Sequence, residues 1–163
     1  MTLTHEERDR LIEQYATAPS RLRAAVAGVP EEARKWRPAD GGFSVHAVVV
    51  HCADSETNAA TRIRYLAAEE KPVILGYDPE NWARTFDYEQ HPLEPALTMV
   101  EAVRANTAAL VRRLPESVWG KAATHSESGP YTGEDWLRIY SEHVEEQIAQ
   151  IERAAAEWRS SSA

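Results

Sequence analysis

The stretch Tyr140-Ser141-Glu142-His143-Val144-Glu145-Glu146-Gln147-Ile148-Ala149-Gln150-Ile151 reads as an amphipathic helix. Leu137, Tyr140, Val144, Ile148 and Ile151 recur at spacings of three and four, the apolar stripe that a helix turns toward a core. Thr132-Gly133-Glu134-Asp135 announces its start: Thr132 can cap free backbone amides, and the acids complement the helix dipole. Glu146 and Gln147 follow His143 by three and four residues, so their side chains lie on neighbouring turns of one side. A histidine with a carboxylate at that spacing is a pairing that bundle metalloproteins use to hold an ion.

Three more long segments carry helical signals. Thr4-His5-Glu6-Glu7 is a capping box, and Leu11, Tyr15, Leu22 and Val26 continue it as one stripe. Pro19 falls inside that pattern and predicts a kink or interruption. Gly28 and Pro30 supply the stop, with a short turn of helix over 31–35. The second helix starts after Ser44 and is predicted to reach about Glu70, where Lys71-Pro72 ends it. Ala47, His51, Asn58 and Tyr65 fall on one side. The run Val48-Val49-Val50 resembles a strand, but the Ala-, Glu- and Arg-rich residues after it carry no second strand pattern. The third helix starts around Leu93 to Pro95, repeats Val100, Val103, Thr107, Leu110 and Leu114, and ends before Pro115. A long connection over 73–92 carries Tyr77, Trp82 and Phe86, aromatics suited to roof a pocket. A polar connection from Glu116 to Tyr131 contains His125. The expectation is an all-α, up-down-type four-helix bundle with long connections, one domain over residues 1–158 and a frayed tail over 159–163.

The 163 residues suffice for one domain with a real core. Apolar content of 43% and charged content of 27% are ordinary for a folded protein. Five tryptophans are many, and suit cores, pockets or interfaces. A formal net charge of -8, with the arginines scattered among acids, argues against nucleic-acid and anionic-membrane partners. The single cysteine, Cys52, permits no intrachain disulfide. No basic-then-apolar leader and no long apolar run is present, so the expected compartment is the cytoplasm.

His51 and His143 lie on two helices that could bring them together across a core. Three protein ligands with an open fourth position make a catalytic zinc-type site. Each histidine alone is equally readable as a hydrogen-bonded core residue. Asp54 could support a ligand or shuttle protons, and Tyr140, one turn before His143, could aim its hydroxyl at the site or hydrogen-bond in the core. Glu56 could take the same part as Asp54, and reads first as a solvated residue or an arginine's ion-pair partner. Ser55 and Asn58 suit pocket lining and polar packing equally. His46 is off the His51 face. Cys52 reads as a small buried apolar side chain. His5, His91 and His125 read as surface residues, and Gly41-Gly42 as a turn.

Over nearly its whole length the chain resembles the DinB-like superfamily, which includes the YfiT-type metal-dependent hydrolases and bacillithiol transferases. The resemblance rests on Trp36-Arg37-Pro38, Phe43-Ser44-Val45, His51-Cys52-Ala53-Asp54-Ser55-Glu56 and His143-x-x-Glu146-Gln147-x-x-Gln150-Ile151. It implies a DinB-like four-helix bundle, a homodimer, and His51 and His143 as ligands of a divalent metal. Zinc or nickel is expected, and iron or manganese also suits the donors. The resemblance further implies a small-molecule substrate, such as a low-molecular-weight thiol, in hydrolysis or thiol transfer during detoxification or stress response. The family's C-terminal helix reads H-x-x-H-H, so the third ligand falls on Gln147, a weaker neutral oxygen donor. Three outcomes follow: Gln147 completes the site, Glu146 swings in to give a two-histidine, one-carboxylate set, or the metal is lost and the scaffold serves as a non-catalytic binding protein.

Overall fold

The structure, a computed structural model, describes residues 2–162. Four long helices make the bundle: α1 His5–Ala27, α2 Val45–Ala68, α4 Leu93–Val111 and α5 Gly133–Ser161, with a short α3 at Pro79–Thr85. The caps fall where the sequence places them. Thr4 and Thr132 form reciprocal capping boxes with Glu7 and Asp135, and Ser44 accepts from the Ala47 amide. α5 continues to Ser161, beyond residue 158, and Ala163 lies outside the described residues. No helix among the described residues is long and apolar enough to cross a membrane.

The connectivity is not up-down. α1 packs on α4 and α5, and α2 packs on the same two, so α1 and α2 sit on a diagonal. Hydrogen bonds give the directions. Leu3 N to Glu134 and Gln14 to Ser141 make α1 and α5 parallel. Glu56 to Arg104 and Arg64 to Thr107 make α2 and α4 parallel. Ala59 to Trp136 runs α2 against α5. Because α2 and α4 point the same way, the chain between them must return along the length of the bundle. That is why the 73–92 connection is long.

Short strands, which helical periodicity could not reveal, edge these connections. β1 Val73–Ile74, β2 Ala122–His125 and β3 Gly129–Thr132 form one sheet in that order, β1 parallel and β3 antiparallel to β2. Gly133 opens α5 because a Cβ there would sit 2.7 Å from the Val118 carbonyl oxygen.

The core is split. One apolar cluster holds Leu22, Val26, Val48, Val49, Leu97, Val100, Val144 and Ile151, and the other Leu11, Tyr15, Ile63, Leu66, Trp136 and Leu137. Between them lies a buried polar layer: Ser55 and Glu56 of α2, Arg104 and Thr107 of α4, and Ser141 of α5. Arg104, 0% exposed, joins all four long helices. It donates to the Tyr15 carbonyl of α1 at 2.8 Å, to Glu56 of α2 at 2.7 Å and to the Tyr140 carbonyl of α5 at 2.7 Å. Its guanidinium carbon lies 4.1 Å from the Tyr15 ring centre.

Two expectations are corrected here. The inner face of α4 is Ala96, Leu97, Val100, Arg104, Thr107, Ala108 and Val111, not the stripe through Val103, Leu110 and Leu114. An apolar-only pattern steps over the arginine that marks the true face. Pro19 does not interrupt α1, which is continuous through it. A proline at 19 removes the amide that would bond to the Tyr15 carbonyl; Arg104 satisfies that carbonyl instead.

Removing Arg104 alone leaves the Glu56 carboxylate buried and unpaired. Arg104→Met is expected to lower unfolding free energy in urea by about 3–5 kcal/mol. The Arg104→Met/Glu56→Leu pair should recover most of that loss, because no charge is then stranded.

Candidate metal centre

His51 projects from α2 and His143 from α5 toward one point. Their Nε2 atoms are 3.3 Å apart, and the rings meet edge to face with centroids 5.3 Å apart. Two nitrogens each about 2.0–2.1 Å from one tetrahedral ion would stand about 3.3–3.4 Å apart. The spacing therefore fits two ligands of one ion. Gln147, one turn after His143, lines the same cleft as His51, and its Oε1 is buried without a hydrogen-bond partner. A buried unpaired carbonyl oxygen is costly unless a cation or donor meets it. No group of three His, Cys, Asp or Glu side chains arranged for a metal occurs among the described residues; beside the two imidazoles stands the Gln147 amide oxygen. The donor set of two imidazoles and one carbonyl oxygen fits a divalent ion.

Glu146 does not belong to this set. It is exposed on α5, about 100° round from Gln147, and does not line the cleft. The two-histidine, one-carboxylate arrangement is thereby set aside.

The supports behind the two rings differ. His143 turns Nδ1 toward Glu56 Oε1 at 3.4 Å, a charge approach whose N–H is not aligned into a full hydrogen bond. Burial pushes the Glu56 carboxyl up, but Arg104 and His143 outweigh it and hold the pKa below its ordinary value. A carboxylate behind a ligand imidazole fixes its tautomer and orientation. The sequence reading allowed Glu56 both a supporting role and an arginine partner; its alternative of a solvated face is wrong, because Glu56 is 0% exposed. His51 has no partner at Nδ1 and is held by packing, with the Phe43 ring centre 5.9 Å away. Burial first, then His143, press its pKa down to about 4 against the pull of Glu56, so the ring is neutral at pH 7 as a ligand must be.

Tyr140 and Asp54 stand one step back. The Tyr140 ring packs on His143 with centroids 6.3 Å apart, while its hydroxyl accepts from Arg62 at 2.7 Å. Burial raises its pKa to about 12 despite Arg62, which rules out a basic role at neutral pH. Asp54 accepts the Tyr88 hydroxyl at 2.5 Å. Tyr88, unlike Asp54, lines the cleft. Ser55 and Asn58 pack rather than line it: Ser55 is buried and Asn58 bonds the Asp54 carbonyl. His46 bonds the His91 carbonyl, away from the ion site, and Cys52 is fully buried.

The cleft has a volume of about 770 Å³. One wall is the 37–43 segment, the other the returning α3 connection, including Asp78, Ala83, Tyr88 and Glu89. Tyr77, Trp82 and Phe86 do not form its roof. Tyr77 and Trp82 stack at 4.4 Å, Phe86 packs edge-on to Trp82, and Phe86 is 56% exposed.

The architecture places the chain among helical bundles whose facing helices converge their donors at the foot of a cleft. Its family follows from comparison. The DinB superfamily pattern matches residues 14–151, and the chain belongs to that superfamily. A protein of Oceanobacillus iheyensis named "putative metal-dependent hydrolase" is 31% identical over 140 residues, spanning 86% of this chain and 81% of that one. YfiT of Bacillus subtilis, under the same description, is 27% identical over 151 residues, 92% of this chain and 85% of its own. The solved structure of YfiT, described as "a probable metal-dependent hydrolase with an unusual four-helix bundle topology", superposes with a TM-score of 0.90 at 26% identity. It covers 96% of this chain and 90% of its own.

The depressed pKa of His51 sets a pH signature for the metal-free protein. An unfolded histidine titrates near 6.5, and the folded one only near 4. Between those values the unfolded chain takes up a proton that the folded chain refuses. Stability should therefore fall as pH drops from 6.5 to 4, by up to about 1.4 kcal/mol per pH unit, and this contribution levels off below 4. Urea unfolding midpoints across that range should show the slope, and His51→Ala should flatten it.

Proposed function

We propose that this chain is a metal-dependent enzyme acting on a small molecule in the cleft. The supporting observation is the convergence of the His51 and His143 Nε2 atoms, 3.3 Å apart, beside the unpaired Gln147 oxygen. His51, His143 and Gln147 hold the ion, with zinc or nickel first and iron or manganese also suited. Bound there, a divalent ion lowers the pKa of a coordinated water or thiol so that a nucleophile exists at neutral pH. The three protein donors are neutral, so they leave the ion's charge undiminished for an anionic reactant. Glu56 orients His143, Phe43 packs His51, and the α3 connection shields one side of the reacting point. Asp54 takes a positioning role, fixing the Tyr88 hydroxyl at the cleft wall, and Tyr140 buttresses the His143 ring. The reaction is hydrolysis, or transfer of a low-molecular-weight thiol to an electrophile in detoxification or stress response. The enzyme works as a homodimer.

The replacement of a family histidine by Gln147 favours a second reading, a binding protein that has given up catalysis. Metal analysis decides between them. Protein purified without chelator or nickel resin is expected to carry near-stoichiometric metal, lost in His51→Ala. Gln147→Ala should weaken affinity at least about tenfold, the scale on which metal-site changes act. Absence of zinc, nickel, manganese and iron would sink the enzyme reading and leave the binding module. With metal present, turnover of an activated ester without thiol, or of a haloaromatic only with thiol, separates hydrolase from transferase.

A further inference from the structure

The cleft has a second polar end, away from the histidines. Glu89, on the returning connection, accepts the Ser44 hydroxyl at 2.6 Å through Oε1. Ser44 is itself 0% exposed and caps α2, so the carboxylate is pinned in place. Its other oxygen, Oε2, is buried and has no hydrogen-bond partner, yet Glu89 lines the cleft. The Lys35 ammonium meets the Glu89 backbone carbonyl and not its carboxylate. A buried carboxylate oxygen without a donor is unfavourable unless a ligand completes it.

The rest of the lining agrees. Asp78, Glu80, Asp87 and Glu89 face two cations, Arg37 and Arg84. Of these, Arg84 is already engaged by Asn81. Such a lining favours a positive group over a negative one.

Helix geometry gives the separation. Ser44, which holds Glu89, precedes His51 by seven residues along α2, which is about 10 Å at the α-helical rise. On the facing helix Gln147 and Gln150 step in the same direction, and Gln150 reaches Gly42 on the cleft wall.

We propose that Glu89 is the specificity residue of the cleft. It binds a primary ammonium of the substrate at the end of the cleft away from the histidines, two turns of α2 from His51. The proposal rests on the reading of that end as the reacting centre, but its recognition step does not require the metal.

The probe is n-octylammonium against 1-octanol, titrated by calorimetry at pH 7 into the metal-free full chain. The ammonium is expected to bind roughly ten- to hundredfold tighter than the alcohol, the range for a hydrogen bond to a charged group. Glu89→Gln, which keeps an oxygen for Ser44 but removes the charge, should erase that preference. Glu89→Asp, one methylene shorter, should reduce it. Thermal unfolding of each variant checks that the fold is intact. Equal binding of the two probes, or a preference that survives Glu89→Gln, overturns the proposal. An ammonium preference in a protein that takes up no metal would leave Glu89 recognition standing and remove the catalytic reading instead. Metal uptake without the preference would do the reverse.

Discussion

The fold is organised around one buried ion pair, Arg104 with Glu56, both 0% exposed. Two charges in an apolar interior are tolerated only when their hydrogen bonds are filled. Arg104 meets that demand with backbone carbonyls of α1 and α5 as well as the Glu56 carboxylate. One side chain of α4 thereby fixes the height of the other three helices relative to itself. An apolar layer there would hold the helices together but would specify their register less sharply, since apolar packing is not directional. The proline of α1 belongs to the same device: it leaves the Tyr15 carbonyl free for Arg104 to take.

The candidate metal centre grows out of that layer. Glu56 faces Arg104 on one side and His143 on the other, so the pair that aligns the helices also stands behind one of the two converging imidazoles. The parallel pairing of α2 and α4 forces the intervening chain to climb back along the bundle. On the way it lays α3, Tyr88 and Glu89 beside the histidines as a cleft wall. A simple up-down connection would have left that groove open to water. Topology, the buried charge layer and the reactive cleft are in this sense one arrangement.

Much of this was legible in the chain itself, and the failures share a cause. Capping boxes at Thr4 and Thr132, the Ser44 cap and the Gly28 stop are local signals and gave helix limits to within a few residues. The convergence of His51 and His143 was readable only through the family resemblance, because each histidine alone reads equally well as a hydrogen-bonded core residue. Connectivity was not, because sequence periodicity shows which face is inward but not which neighbour it meets. The α4 face was misphased for a related reason. Counting apolar residues selected Val103 over Arg104, although a charged residue on the inner face is what pairs with Glu56. Glu56 shows the partner helix's side of this: an ion pair with an arginine was one of its readings, but which arginine, and that the pair is buried, appears only once Arg104 is placed opposite it. Glu146 and Gln147 are adjacent in sequence, and only the rotation of α5 shows that the amide faces inward and the acid outward.

The two rings of the centre are restrained unequally, and this bears on the unusual third donor. His143 has a carboxylate behind it, whereas His51 has only aromatic packing and an empty Nδ1. A carboxylate third ligand would add a second anion close to Glu56, in a layer where Arg104 supplies one balancing charge. Without an ion, two carboxylates there would repel each other; a divalent ion between them would offset that repulsion. A neutral amide at 147 spares the metal-free protein that conflict. It supplies an oxygen while leaving Glu56 matched to Arg104 and free to orient His143. The weaker donor is thus consistent with a site whose anionic support lies one shell behind the ligands, and the exposed Glu146 is consistent with a second carboxylate being kept out.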